Sequence, residues 1–201
     1  ILDKNEKLQC TSCHDSHKDM EGNFLKRSNE FSELCFTCHD KTYWGNSSHN
    51  TALNKWNGKT PNPWAHMDKP YTSTSQNGCS NCHDTHNANG KERLLKREAE
   101  EDNCLDCHNG NVSNTNIQTE LSKPYRHDVY AYTGIHDPIE SDINKIKHIE
   151  CVDCHNAHAS NSNTAEAPLV KGANLGVKGI SRSGMAVNPA LNEYEICFNC
   201  H

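Results

Sequence analysis

Apolar residues are thinly scattered along this chain, and three stretches carry them at helical spacing: "SNEFSELCFTCH" (28–39), "KERLLKREAEEDNCLDCH" (91–108) and "ALNEYEICFNCH" (190–201). Each has acidic residues near its start and an apolar stripe toward its end, a pattern that predicts a short helix running into a Cys-x-x-Cys-His terminus. Between them lie polar stretches such as "KTYWGNSSHNTALNKWNGKTPNPWAHMDKPYTSTSQNG" (41–78), rich in Asn, Ser, Thr, Gly and Pro. These predict loop. A loop of that length is unusual in a compact domain and calls for something to pin it. The segment 166–195, "EAPLVKGANLGVKGISRSGMAVNPALNEYE", reads by its glycines and prolines as an inserted loop.

Composition sharpens this picture. Only 33% of the 201 residues are hydrophobic and the mean hydropathy is −0.91, so side chains alone make a thin core and something else must fill the interior. The formal charge of −6 is spread over interspersed acids and bases, which gives no electrostatic reason to expect nucleic acid or an anionic membrane as partner. No apolar run approaches the roughly 20 residues of a membrane span, and a soluble protein is expected.

Twelve cysteines would ordinarily suggest a secreted disulfide scaffold, but all of them fall in Cys-x-x-Cys pairs. The pairs are Cys10/Cys13, Cys35/Cys38, Cys79/Cys82, Cys104/Cys107, Cys151/Cys154 and Cys197/Cys200, and each is followed at once by a histidine: His14, His39, His83, His108, His155 and His201. With 14 histidines in the chain, chance placement after all six pairs has a probability of roughly 10^-7. Zinc ribbons also use Cys-x-x-Cys, but tetrahedral zinc has no need of a histidine directly after the second cysteine. Redox-active dithiols would not come six to a chain. On a helical turn, residues i, i+3 and i+4 share a face, so two thiols can meet the two vinyl groups of a porphyrin with an imidazole beneath the iron. Six motifs predict six haems c, about one per 33 residues, and the porphyrins themselves then supply the missing apolar core. The apo chain is expected not to fold.

Three motifs carry an additional histidine at one spacing: "CTSCHDSH", "CSNCHDTH" and "CVDCHNAH". Three residues beyond the proximal ligand, His17, His86 and His158 cannot clamp the same iron from its opposite face. Each is expected to supply the sixth ligand of a neighbouring haem, the one attached next along the chain. Eight histidines remain after the proximal six: His17, His49, His66, His86, His127, His136, His148 and His158. The methionines are only Met20, Met67 and Met185, so bis-histidine ligation must dominate, which lowers potential relative to a His/Met site. His66 and His148, just upstream of the third and fifth motifs, are the next candidates, then His127, then His49 and His136. Ligation at His49 and His66 would pin the long loop.

Motif starts are separated by 25, 44, 25, 47 and 46 residues, so the chain reads as one hexahaem domain of three haem-pair repeats, about 1–60, 61–125 and 126–201. In each pair the first motif carries the extra histidine. The loop aromatics Tyr43, Trp44, Trp56, Trp64, Tyr71, Tyr125, Tyr130 and Tyr132 are expected to pack on porphyrin faces and edges.

"GCSNCHDTH" with "EDNCLDCHNG" after it, and "KHIECVDCHNAHAS" with "EYEICFNCH" after it, resemble the multihaem c-type cytochromes with doubled CxxCH motifs, and the resemblance spans essentially the whole chain. It implies little regular secondary structure, with short α-helices and long loops wrapped around a stack of six haems. It also implies a periplasmic or extracellular electron carrier, and some relatives polymerise into haem filaments. Two features depart from the pattern. No histidine precedes Cys10, so the first haem's sixth ligand is expected from a distant loop or another subunit, and a subunit that borrows a histidine is a natural filament unit. The sequence also stops on the last residue of a motif, which suggests a trimmed chain. Covalent haem attachment takes place outside the cytoplasmic membrane, and "ILDKNEKLQ" lacks the basic start and apolar run of a signal peptide, so an exported protein with its signal removed is expected.

The function expected is electron transport, with no catalytic residue, to redox partner proteins or extracellular acceptors. The alternative is a multihaem reductase of a small oxyanion, which needs one iron with an open position. All six motifs end in His and spare histidines exceed the six required, so nothing in the sequence reserves a vacancy. A purely structural or metal-storage module would not need so many irons.

Overall fold

The computed structural model describes residues 2–131 and 148–201. It is loop-rich, with six short helices and one two-stranded sheet among the described residues: α1 (Cys10–Cys13), α2 (Ser48–Thr51), α3 (Thr74–Asn77), α4 (Glu100–His108), α5 (Ile117–Leu121), β1 (Gly179–Ile180), β2 (Ala186–Val187) and α6 (Glu193–Cys197). β1 and β2 pair antiparallel with Gly179 opposite Val187. Single 3-10 turns make up most of the remaining regular structure.

Two of the three expected helices form, over part of their stretches as α4 and α6, where acidic first turns meet the positive end of the helix, while residues 91–99 take a 3-10 turn and extended backbone instead. Glu100, Glu101 and Asp102 open α4, and Glu193 and Glu195 open α6. In α6 the Glu195 carboxylate also accepts from Leu191 N–H at 2.8 Å and Asn192 N–H at 2.9 Å, which closes a capping box. The stretch 28–39 instead breaks into two 3-10 turns, Glu30–Ser32 and Cys35–Thr37. Phe31 and Ser32 lie in the left-handed region (φ 53° and 64°), and Ser32 Oγ accepts the Cys79 N–H at 2.7 Å. A tertiary bond to the third motif overrides the local helical pattern. At that contact Gly78 (φ 48°) leaves no room for a side chain, since an added Cβ would lie 1.9 Å from Ser32 Oγ.

The long loop 41–78 is knitted by its backbone. Ser47 and Ser73 cap α2 and α3, Thr74 N–H and Ser75 N–H donate to Asn54 and Ala52, and Asn57 N–H reaches Asn111 O at 3.0 Å. Ser48 N–H bonds Ser160 O at 2.9 Å and so ties the loop to the third pair.

Burial is divided almost evenly between apolar and polar side chains, the latter including Asn77, Asn81, Glu101 and Glu150. Four buried apolar residues gather into a cluster, Val170, Val177, Ala190 and Ile196, with Cys154 and Val187 packed against it. That cluster lies in and beside the stretch that reads from its glycines as an inserted loop; here the hairpin and α6 fold on each other and onto the fifth motif. Elsewhere the described side chains form no comparable apolar centre, as expected of a chain whose core is completed by a bound group.

Candidate haem sites

Each motif closes one helical turn in which the histidine N–H bonds the first cysteine's carbonyl. The distances are 2.9 Å for His14 to Cys10, 3.0 Å for His39 to Cys35, 3.0 Å for His83 to Cys79, 2.9 Å for His155 to Cys151 and 3.0 Å for His201 to Cys197. The remaining motif, the fourth, Cys104 to His108, is the end of α4. Both thiols and the imidazole therefore share one face in every case.

The cysteines differ in how far the protein covers them. Cys10, Cys38, Cys197 and Cys200 are exposed, and the other eight are partly covered. Cys38 follows the 3-10 turn Cys35–Thr37, where its N–H bonds Cys35 O at 3.2 Å and its Sγ lies 3.7 Å from Thr37 Oγ1. Ahead of that turn, Ser32 Oγ accepts the Cys79 N–H at 2.7 Å and ties the stretch to the third motif.

The first motif of each pair adds a return strand that fixes its histidine. His14 Nδ1 bonds Asn23 O at 2.8 Å, His83 Nδ1 bonds Arg93 O at 2.7 Å and His155 Nδ1 bonds Ala173 O at 3.0 Å. A carbonyl can only accept, so each Nδ1 carries the proton and Nε2 keeps its lone pair for a metal. In pairs one and two the accepting turn holds non-glycine residues in the left-handed region, Asn23 and Phe24 (both φ 56°), and Arg93 and Leu94 (both φ 56°). Such conformations cost about 1–3 kcal/mol each and persist where the surroundings impose them.

Four proximal rings face a second histidine. Centroid separations are 6.1 Å for His14 and His86, 6.3 Å for His83 and His158, 6.1 Å for His108 and His49, and 6.4 Å for His201 and His127. Two metal–nitrogen bonds of about 2.0 Å, plus about 1.1 Å from each nitrogen to its ring centre, give about 6.2 Å, the spacing of two imidazoles sharing one metal. His49 Nδ1 is tied to Ala157 O at 2.8 Å, so its Nε2 is also left for a metal. Burial pushes the pKa values of His83 and His108 down and that of His158 to about 4, which holds these rings in the neutral, ligating form. Trp44, whose buried Nε1 has no hydrogen-bond partner, packs its ring 6.2 Å from that of His158. The residues present fit haem c: paired thiols, a proton-locked imidazole beneath them, and an opposed imidazole one metal's width away. Among the described residues no three His, Cys, Asp or Glu side chains converge as a zinc site would require.

Two of the four facing pairs run backward along the chain. His86 belongs to the second pair and faces His14 of the first; His158 belongs to the third and faces His83 of the second. This corrects the expectation that each serves the haem attached next. His49 and His127 run the other way, from the segment after a second motif to the second motif of the following pair. His17 is exposed, its ring 3.9 Å from Asp15. His66 directs Nε2 to Ser80 O at 2.9 Å and faces no proximal ring among the described residues. His148 Nε2 lies 3.8 Å from Glu150. His136 and Tyr132 fall outside the described residues. Of the loop aromatics, Trp44 and Trp64 are buried, while Tyr125 is 96% exposed.

Sequence reasoning passes over the residue directly after each first-motif histidine. Asp15 Oδ1 accepts from His17 N–H at 3.1 Å, Asp84 Oδ1 from His86 N–H at 3.1 Å and Asn156 Oδ1 from His158 N–H at 3.0 Å. These Asx turns aim the second histidine away from the first. The signal is present in "CHDSH", "CHDTH" and "CHNAH", since Asp and Asn are the residues that make such turns.

The free thiols stand where thioether sulphurs would be in the haem-loaded chain, and their mutual influence gives the order of the sites. Cys35 donates to Cys79, which pushes Cys35 up and lowers Cys79 to about 6; Cys13 also raises Cys35. Cys104 is raised by its hydrogen bond to Cys151, by burial and by Cys82, and Cys107 is pushed up to about 12 by burial with Cys82 contributing. Cys154 is raised by burial and then by charges that include Cys200 and Cys197. Every motif thus has a cysteine close enough to one of the next to influence it.

The family model for the doubled CXXCH motif matches residues 4–43 and 72–113. Those motifs indicate covalent haem c binding in a multihaem protein akin to c-type cytochromes. No curated protein and no solved structure matches the chain. Among the described residues no helix is long and apolar enough to cross a membrane.

Proposed function

We propose that this protein conducts electrons along six covalently attached haems c, in the order of their motifs, each iron gripped by two imidazoles, and that it does so outside the cytoplasmic membrane without transforming a substrate. The observation that carries this reading is the set of four opposed histidine pairs at 6.1–6.4 Å. When bound, haem c supplies a one-electron ferric/ferrous couple. The chain's part is to anchor each group by two thiols, keep Nε2 unprotonated through the Nδ1 bonds to Asn23, Arg93 and Ala173, and bring successive motifs into electrostatic contact.

We further infer that copies of the chain join end to end through histidine. His86 and His158 each reach back by one pair to a first-motif histidine, and His17 is built on the same Asx turn with its ring exposed. By the same geometry His17 of one copy meets His155 of another, whose ring faces no histidine among the described residues. Intact mass and pyridine haemochrome assay should give six haem equivalents, and electron spin resonance should show low-spin iron throughout assembled material. A high-spin signal from one haem that persists in the assembled state would favour an oxyanion reductase instead. Isolated particles at all concentrations by electron microscopy would remove the filament.

A further inference from the structure

Lys96 and Asp106 form an ion pair inside the protein where the two motifs of pair two meet. Lys96 Nζ lies 2.9 Å from Asp106 Oδ2 and donates to Pro63 O at 3.1 Å, and the Lys96 side chain is 4% exposed. Arg97 closes the other side of the same carboxylate through Nε and Nη2, both at 3.1 Å. Asp106 sits within the fourth motif, between the cysteines, while the Lys96 N–H bonds Cys82 O of the third motif at 3.0 Å. The charges of both residues are felt at Cys82 and at Cys107, the second attachment cysteines of the two sites.

Enclosing the Lys96 ammonium beside a carboxylate that is 18% exposed carries a desolvation cost that mutual attraction repays only in part, so such a pair is weak evidence of a stabilising device. The other repeats do without it. Lys26 occupies the place of Lys96, with its N–H on Cys13 O at 2.9 Å, but it is exposed and its ammonium bonds Thr11 O. Thr37 stands in the position of Asp106 in the second motif, and Asn199 in the sixth. A doubled motif therefore needs no carboxylate there.

We propose that the Lys96–Asp106 couple is a fixed charge device that sets the reduction potentials of the two haems of pair two apart from the rest of the row. The proposal rests on the electron-transfer reading above. An enclosed cation favours the less positive, reduced iron and raises its potential; a largely covered anion does the reverse, and salt screens such charges less than exposed ones. Lys96 and Asp106 act on the irons through space, as positioning and tuning residues.

The test is spectroelectrochemical titration of the haem-loaded protein and its variants. Lys96→Met should move about a third of the haem absorbance, two sites of six, to more negative potential, and Asp106→Asn should move the same fraction to more positive potential. Lys96→Arg should restore wild-type behaviour, and the shifts should persist in high salt. Shifts of the same sign in both variants, shifts spread over all haems, or no shift would overturn the proposal. Should Lys96→Met fail to accumulate, Arg97→Gln removes a charge from the same carboxylate at an exposed site, with a smaller negative shift in the same fraction expected and an unchanged titration counting against the proposal. Haem stoichiometry on the same wild-type sample separates the two readings, because fewer than six equivalents faults the proposed function and a full complement with unmoved potentials faults the ion pair alone.

Discussion

In pair one, His14 bonds Asn23 O, Asp15 N–H bonds Phe24 O and Lys26 N–H returns to Cys13 O; in pair two, His83, Asp84 and Lys96 make the same three bonds to Arg93, Leu94 and Cys82. The backbone device is one and the same, but its surroundings differ. Cys10 and Lys26 are exposed and Leu25 and Asp15 are partly covered, whereas Leu95 and Asp84 are buried and the Lys96 ammonium is enclosed. The difference teaches that holding a proximal imidazole takes only the local turn, while burial of that turn depends on where the repeat sits in the row. Site three adjoins both site two, through Cys35, and site four, through Cys104 and Cys107. Site one has a neighbour at Cys35 and a borrowed ring at His86.

The widest contrast follows from removing each site. Cys79→Ala with Cys82→Ala should yield no folded, haem-loaded protein, because the third motif adjoins both the second and the fourth. Cys10→Ala with Cys13→Ala should yield a folded protein lighter by one haem, with the melting transition of the remainder nearly retained. Intact mass and thermal circular dichroism decide it, and equal losses in the two variants would break the comparison.

Next comes the borrowed ring. His86→Ala should turn the iron on His14 high-spin, about one haem in six by electron spin resonance, without loss of covalent haem. His17→Ala should leave the spectra of dispersed protein unchanged and act only on assembly. A smaller contrast lies in the Asx turns. Asp84 accepts from both His86 N–H and Asn87 N–H (3.1 and 2.9 Å), and Asp15 from His17 N–H at 3.1 Å. Asp84→Ala should cost about 1 kcal/mol in denaturant unfolding and Asp15→Ala a few tenths, in the manner of other lost caps.

The sequence disclosed local chemistry and left the long-range arrangement hidden, for physical reasons. The turns of the six motifs, and α4 and α6, follow from residues within a few positions of one another, since acidic first turns and i, i+4 bonds are local. The histidine-bearing segments are likewise plain in the sequence, whereas the backward reach of His86 and His158 is not, because the spacing of "CHDTH" fixes only that a second iron is needed and says nothing of which repeat lies alongside. His66 shows the same limit: its bond to Ser80 O depends on how the loop 41–78 folds across the third motif. Residues 28–39 lose their helix to Ser32, whose partner Cys79 lies 47 positions away. The glycine-rich stretch 166–195 conceals the one apolar cluster among the described residues because Val170, Val177 and Ala190 have neither helical nor alternating period; they meet only once the hairpin closes.

The smallest effect tests whether the two turns are in fact one device. Phe24 and Leu94 are exposed, both at φ 56°, and each follows the residue whose carbonyl holds the proximal imidazole. A non-glycine residue in that conformation costs about 1–2 kcal/mol, which Phe24→Gly or Leu94→Gly would relieve. Glycine also adds freedom to the unfolded chain, a loss of about 0.4–1 kcal/mol. The two partly offset, so each variant should lie within about 1.6 kcal/mol of the parent and, more to the point, the two should shift alike. A shift in Leu94→Gly much larger than in Phe24→Gly would mean that burial of pair two, and not the turn, imposes the left-handed backbone that aims the carbonyl at His83.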